Sequence, residues 1–161
     1  MHATHIDNCL PKPELYAQLA SELRSLLEGE PDTIANLANA AALLYHSLPQ
    51  LNWCGFYLLK GGELVVGPFQ GKPACVRIAI GKGVCGTAAA RRTSVIVANV
   101  NEFPGHIACD TASNSEIVVP IVRGNELIGV LDLDSPDLAR FDTSDQEGLE
   151  KLVKILVAAL N

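Results

Sequence analysis

Ser115-Glu116-Ile117-Val118-Val119-Pro120-Ile121-Val122, then Arg123-Gly124-Asn125, then Glu126-Leu127-Ile128-Gly129-Val130-Leu131-Asp132-Leu133-Asp134-Ser135, is the stretch that decides the fold. Two apolar, β-branched runs, Glu116 to Val122 and Leu127 to Leu133, meet across a short Gly/Asn turn, which predicts a hairpin. Side chains alternate between faces along a strand, so Asp132 and Asp134 share one face and Leu131 and Leu133 take the other. When the two runs pair across Arg123-Gly124-Asn125, Glu116 arrives at the same end of the sheet as both aspartates. Three carboxylates gathered there repel one another unless they bind a cation or share protons. A solvated strand end is the plainer reading of the same residues.

Working outward, Trp53 to Leu59 and Glu63 to Phe69 are strand-like runs joined by Gly61-Gly62, a second hairpin. Val76 to Ile80 and Val95 to Val100 add further strands, and Gly86 to Arg92 has room for one or two helical turns. Residues 12–28 place Leu15, Leu19, Leu23, Leu26 and Leu27 on one helical face. Asp32 can cap a second helix that presents Ile34, Leu37, Ala41, Leu44 and Leu48 and stops at Pro49. A closing helix starts at Asp142 or Thr143 and buries Leu149, Leu152, Val153, Leu156 and Leu160. Between strands, Asn101 to Asn114 is polar and aperiodic, a long loop of the kind that usually carries function. Helices at the chain ends around consecutive hairpins predict an α+β fold, with about six strands in a mostly antiparallel sheet and the terminal helices packed on one face. The whole chain, 1–161, reads as one domain, with 1–11 expected to be a mobile N-terminal segment.

Composition sets the outer limits. Twelve basic against eighteen acidic side chains give a formal charge of −6, which argues against nucleic-acid binding. No apolar run reaches the roughly 18–20 residues that span a bilayer. Met1 to Asn8 has neither a basic start nor an apolar stretch, so no signal peptide is expected and the chain reads as cytoplasmic. In that compartment thiols stay reduced, and the five cysteines are then reactive, metal-binding or buried.

Metal binding is disfavoured by spacing, since no C-x-x-C pair occurs and His106-x-x-Cys109 is the single close pair. Cys54 follows Trp53 inside an apolar strand and reads as core; Cys9 lies near a terminus. The other three lie in or beside loops. Cys75 follows Lys72-Pro73-Ala74, and Cys109 lies in the long polar loop near His106. Cys85 sits in Gly81-Lys82-Gly83-Val84-Cys85-Gly86, where a nascent helix N-terminus would favour its thiolate. Three such thiols suit nucleophile-plus-resolving chemistry, with inert burial as the competing reading. Gly67 to Lys72 lacks the spacing and the Ser or Thr of a P-loop. Gly81-x-Gly83-x-x-Gly86 lacks a surrounding βαβ unit, so its glycines are read as serving a tight turn.

Trp53-Cys54-Gly55-Phe56-Tyr57, Gly67-Pro68-Phe69-Gln70-Gly71, Gly83-Val84-Cys85-Gly86, His106-Ile107-Ala108-Cys109-Asp110, Ser115 to Pro120 and Leu131 to Ser135 follow one another as in free methionine-R-sulfoxide reductases, which are GAF-domain proteins. Intervals of ten and twenty-four residues between Cys75, Cys85 and Cys109 resemble that family's three-cysteine pattern. The resemblance implies a GAF-like fold, no organic cofactor or metal, and a place in oxidative-stress repair. It implies Cys109 as nucleophile and Cys75 as resolving thiol, with Cys85 an alternate partner or relay, and thioredoxin as the external reductant. It implies that Glu116, Asp132 and Asp134 hold the substrate's amino group and protonate its sulfoxide oxygen, in a division of roles left open. Trp53, with Tyr57 beside it, would pack against the methyl-thioether end. A homodimer is compatible with helices at both ends. His106 is left outside the site, since a loop histidine three residues from a thiol need not touch it. A ligand-sensing GAF module without turnover is the rival reading.

Overall fold

A computed structural model describes residues 6–107 and 110–160. Its elements are α1 (Lys12–Leu27), α2 (Thr33–Ser47), β1 (Trp53–Lys60), β2 (Glu63–Gly71), β3 (Arg77–Ala79), α3 (Gly83–Arg91), β4 (Val95–Val97), β5 (Ser115–Arg123), β6 (Glu126–Ser135) and α4 (Thr143–Ala159), with a single 3-10 turn at Val100–Glu102. Six strands form one sheet in the order β3-β2-β1-β6-β5-β4, and every neighbouring pair is antiparallel. Among the described residues no helix is long and apolar enough to cross a membrane.

Alternation along the central strands creates two cores. Ile117, Val119 and Ile121 of β5 and Leu131 and Leu133 of β6 face one way, into a cluster with Leu19, Leu37, Leu44, Leu149 and Leu156 of α1, α2 and α4. Each such fully buried side chain contributes roughly 1.5–3 kcal/mol relative to exposure. Val118, Val130, Trp53 and Tyr57 face the other way, packing with Val84, Cys85 and Ala88 of α3. The terminal helices therefore share one face, as the sequence predicts, and α3 covers part of the other. The uncovered part of that second face is where a ligand can enter.

Local signals account for the element ends. The Asp32 carboxylate accepts from the Ala35 amide at 2.8 Å and starts α2. Asp142 and Asp145 form a reciprocal capping box at α4. Asp145 is fully buried, and its charge is met by Lys12, by the Arg140 guanidinium at 3.2 Å and by the Tyr16 hydroxyl at 2.9 Å. That network ties the first helix to the last. Of the N-terminal segment, Ile6 and Leu10 pack against the helix-side core.

Two boundaries differ from the sequence reading by three residues. The α3 helix begins at Gly83 rather than Gly86, because the β3–α3 turn closes by Gly81 N–H donating to the Gly86 carbonyl at 2.8 Å. Gly81 and Gly83 have φ of +84° and +59°, the left-handed region that glycine tolerates. Strand β4 ends at Val97 instead of Val100, where the chain turns into the 3-10 element.

Candidate active site

The β5–β6 hairpin register places Glu116 directly opposite Asp134, and Val118 opposite Asp132. On the other side of β6, Asp134 pairs with Trp53 and Asp132 with Gly55 of β1. Glu116, Asp132, Asp134, Trp53 and Tyr57 thus emerge on one sheet face. They line a cleft of about 530 Å³, its open mouth included, together with Cys85, Lys82, His106, Ile107, Asp110 and Ser113.

Electrostatics follow from the crowding. Glu116 and Asp132 are buried and Asp134 is half-buried. Burial, reinforced by Asp132 and Asp134, pushes the Glu116 carboxyl well above the usual carboxylate range. Burial does the same to Asp134, with Asp132 and Asp110 adding repulsion. Asp132 is pushed up to about 7 by burial, partly offset by hydrogen bonding from Cys85 and Glu116. Burial thus favours the protonated form of all three, the form from which a proton can be donated. Asp132 Oδ1 has no hydrogen-bond partner among the described residues, although it is buried. Such an orphan acceptor calls for a donor from a ligand.

The aromatic pair does more than the sequence suggested. The Trp53 indole stacks on Phe69 at 5.2 Å and on Tyr57 at 5.8 Å, fixing its plane at the cleft wall. Its N–H donates to the Lys72 carbonyl at 3.1 Å, and the Tyr57 hydroxyl donates to the Cys75 carbonyl at 3.1 Å. Both rings therefore hold the segment that carries Cys75 against the sheet. This non-local tie leaves no signal in the sequence.

The thiols separate into different environments. Cys75 is half-buried and is engaged in a disulfide, whereas Cys9, Cys54 and Cys85 are free. Cys54 points to the helix-side core, and Cys9 is exposed; neither lines the cleft. Cys85 does line it, but the expectation of a helix-stabilised thiolate is corrected. The residue is 3% exposed, and burial, with Asp132 and Glu116 nearby, pushes its thiol well above the ordinary range. Desolvation and two carboxyls outweigh a helix N-terminus worth about 1 kcal/mol. Cys109 lies outside the described residues.

Residues that sequence reasoning missed also line the cleft or brace its loop. His106 Nε2 lies 3.8 Å from Glu116 Oε2, and burial lowers its pKa, favouring the neutral ring. Asn52 Nδ2 donates to Ser113 Oγ at 3.0 Å, joining the start of β1 to the loop. Asp110 accepts from the Ala112 amide at 2.9 Å and faces Lys72 at 3.4 Å; these contacts hold its carboxyl below the usual range. The polar residues of the loop announced function generally, but only folding shows which of them turn inward.

These features, an antiparallel sheet with a ligand cleft under a short helix and a long loop, define a GAF domain, and the GAF domain family matches residues 14–160. The free methionine-R-sulfoxide reductase of Escherichia coli is 54% identical over 92% of this chain and 90% of its own. That of Saccharomyces cerevisiae is 45% identical over 96% of this chain and 92% of its own. The Neisseria meningitidis free methionine-R-sulfoxide reductase, solved in complex with its substrate, superposes with a TM-score of 0.94 at 45% identity, covering 99% of this chain and 95% of that one. The chain belongs to the free methionine-R-sulfoxide reductase family, a family of oxidoreductases.

Proposed function

We propose that this chain reduces free methionine-R-sulfoxide to methionine in the cytoplasm, without metal or organic cofactor, with Cys109 as the nucleophile. The Cys109 thiolate attacks the sulfoxide sulfur while a cleft carboxyl protonates the oxygen, which departs as water and leaves an S–S-linked sulfonium. A water molecule then attacks Cys109 Sγ and breaks that S–S bond. Methionine leaves and Cys109 is left as a sulfenic acid. The Cys75 thiol then attacks that sulfur, expelling water and forming an intramolecular disulfide. Exchange with an external dithiol, thioredoxin, regenerates both thiols.

The observation that carries this reading is the clustering of three carboxyls in one cleft whose wall is formed in part by the segment leading to Cys75. Burial holds the Glu116 and Asp134 carboxyls well above the usual carboxylate range, the direction that suits a general acid. Cys75, held to the cleft wall by Tyr57, is engaged in a disulfide while Cys85 is free, which favours Cys75 as the resolving thiol. The unpaired Asp132 Oδ1 suits the α-ammonium group of a free amino acid. A protein-bound methionine offers an amide there and leaves the carboxyl poorly paired, which explains selection of the free substrate. The reductases of Escherichia coli and Neisseria meningitidis support the substrate assignment by their kinship.

Intact-mass analysis tests the proposal. Reduced protein incubated with the free R-sulfoxide is expected to release methionine and become lighter by two hydrogens, with peptides joined through Cys75 and Cys109. An unchanged mass and no methionine would favour a binding module; a Cys85–Cys109 link would transfer the resolving role.

A further inference from the structure

Cys85 is a free, buried thiol for which the reaction above has no required step. Its Sγ lies 4.0 Å from Glu116 Oε1, and ligand atoms of Cys85, Glu116 and Asp132 all fall within 4.8 Å of one another. His106 Nε2 approaches the other Glu116 oxygen at 3.8 Å. The gathering of a thiol with two carboxyls is not a carboxylate cluster alone. Independently, Asp132, only 6% exposed, leaves Oδ1 without a partner among the described residues.

The separations suit a small tetrahedral ion. With Zn–S of about 2.3 Å and Zn–O or Zn–N of about 2.0 Å, tetrahedral ligands stand roughly 3.5 Å apart for S and O, and roughly 3.3 Å for N and O. The Cys85–Glu116 distance of 4.0 Å exceeds the S–O figure by about half an ångström, and with the whole triad inside 4.8 Å a bound ion draws its ligands together by side-chain rotation. Ligand chemistry narrows the choice of ion. Mg²⁺ and Ca²⁺ take oxygen ligands and have no use for sulfur, whereas a thiolate beside carboxylates selects zinc-like ions.

We propose that this cleft is also a binding site for a borderline-soft divalent cation, Zn²⁺ in particular, held by Cys85, Glu116 and Asp132 with His106 supporting Glu116 from outside the triad, and that the ion excludes the substrate. Binding exchanges the thiol and carboxyl protons for the metal and involves no electron transfer. The site itself stands on geometry; the competition with methionine sulfoxide rests on the reductase reading. The ion acts as an inhibitor: it sequesters the carboxyls that would donate to the sulfoxide oxygen.

Co²⁺ is the probe, because a thiolate ligand gives it an ultraviolet charge-transfer band and a tetrahedral site gives strong visible absorption. The oxidised full chain carrying Cys9→Ser removes the exposed thiol and keeps the Cys75 disulfide. One equivalent of Co²⁺ should develop both features, and Zn²⁺ should erase them. Cys85→Ser should abolish the charge-transfer band. His106→Gln, a half-buried change checked for folding by its melting curve, should weaken Co²⁺ binding about tenfold or more. No band in the parent protein, or an undiminished band in Cys85→Ser, overturns the site. Methionine sulfoxide turnover without a thiolate–cobalt band refutes this inference alone; the band without turnover refutes the reductase reading alone. Undiminished turnover at saturating Zn²⁺ refutes the exclusion of substrate.

Discussion

Replacing Asp132 by Asn isolates the cost of keeping an acid inside the cleft. The fold raises this carboxyl to about 7 from an ordinary 3.8, chiefly through burial. Converted at 1.36 kcal/mol per tenfold change in acidity, the difference amounts to ~4 kcal/mol. Because the folded-state pKa is raised, the contribution is fully present below pH 3.8 and is lost as the pH climbs through about 7. Wild-type protein should therefore lose up to ~4 kcal/mol more stability than Asp132→Asn over that interval. The neighbours push in the same direction, since Asp132 helps raise both Glu116 and Asp134 and its neutralisation relaxes them. Urea denaturation of both proteins at several pH values across that window reads the difference directly. Parallel stability–pH curves would refute the reasoning, and would mean that the acid is hydrated in the folded protein.

Other substitutions separate the two faces of the sheet. Cys54→Ala, on the helix-side face, should cost ~1 kcal/mol in denaturation and leave methionine sulfoxide turnover near wild type; a large loss of turnover would contradict its placement. Gly86→Ala puts a methyl group against the Ala79 carbonyl and the Gly81 amide in the β3–α3 turn, so a loss of ~1–3 kcal/mol is expected from melting curves, with turnover impaired through Cys85 and the cleft wall. Asp145→Asn leaves the nearly buried Arg140 without its counter-ion and should lower stability by ~3–5 kcal/mol in urea, while the KM for sulfoxide stays close to normal; an unchanged midpoint would show the network to be idle.

The hairpin from Ser115 to Ser135 shows how much was legible. Alternation of side chains is a local property of an extended chain, so the common face of Asp132 and Asp134 could be read directly. A short turn then fixes register, and Glu116 does pair with Asp134. The start of α3 was misread because its first turn depends on Gly81 bonding to Gly86, a closure that hydrophobic periodicity does not report. His106 was set aside for a similar reason. Its neighbour in space is Glu116, ten residues away along the chain and on a different element.

By itself the sequence determined the α+β arrangement, the six strands, the face bearing the acids and the separation of Cys54 from the cleft, since each follows from short-range periodicity. Only the tertiary structure decided how those groups behave. Whether a carboxyl holds its proton, and whether a helix N-terminus can ionise Cys85, depends on desolvation by residues distant in the chain. Trp53 and Tyr57 became supports for the Cys75 segment through bonds spanning nearly twenty residues. Periodicity places a side chain on a face; the dielectric and the partners it meets there exist only once the chain has closed around it.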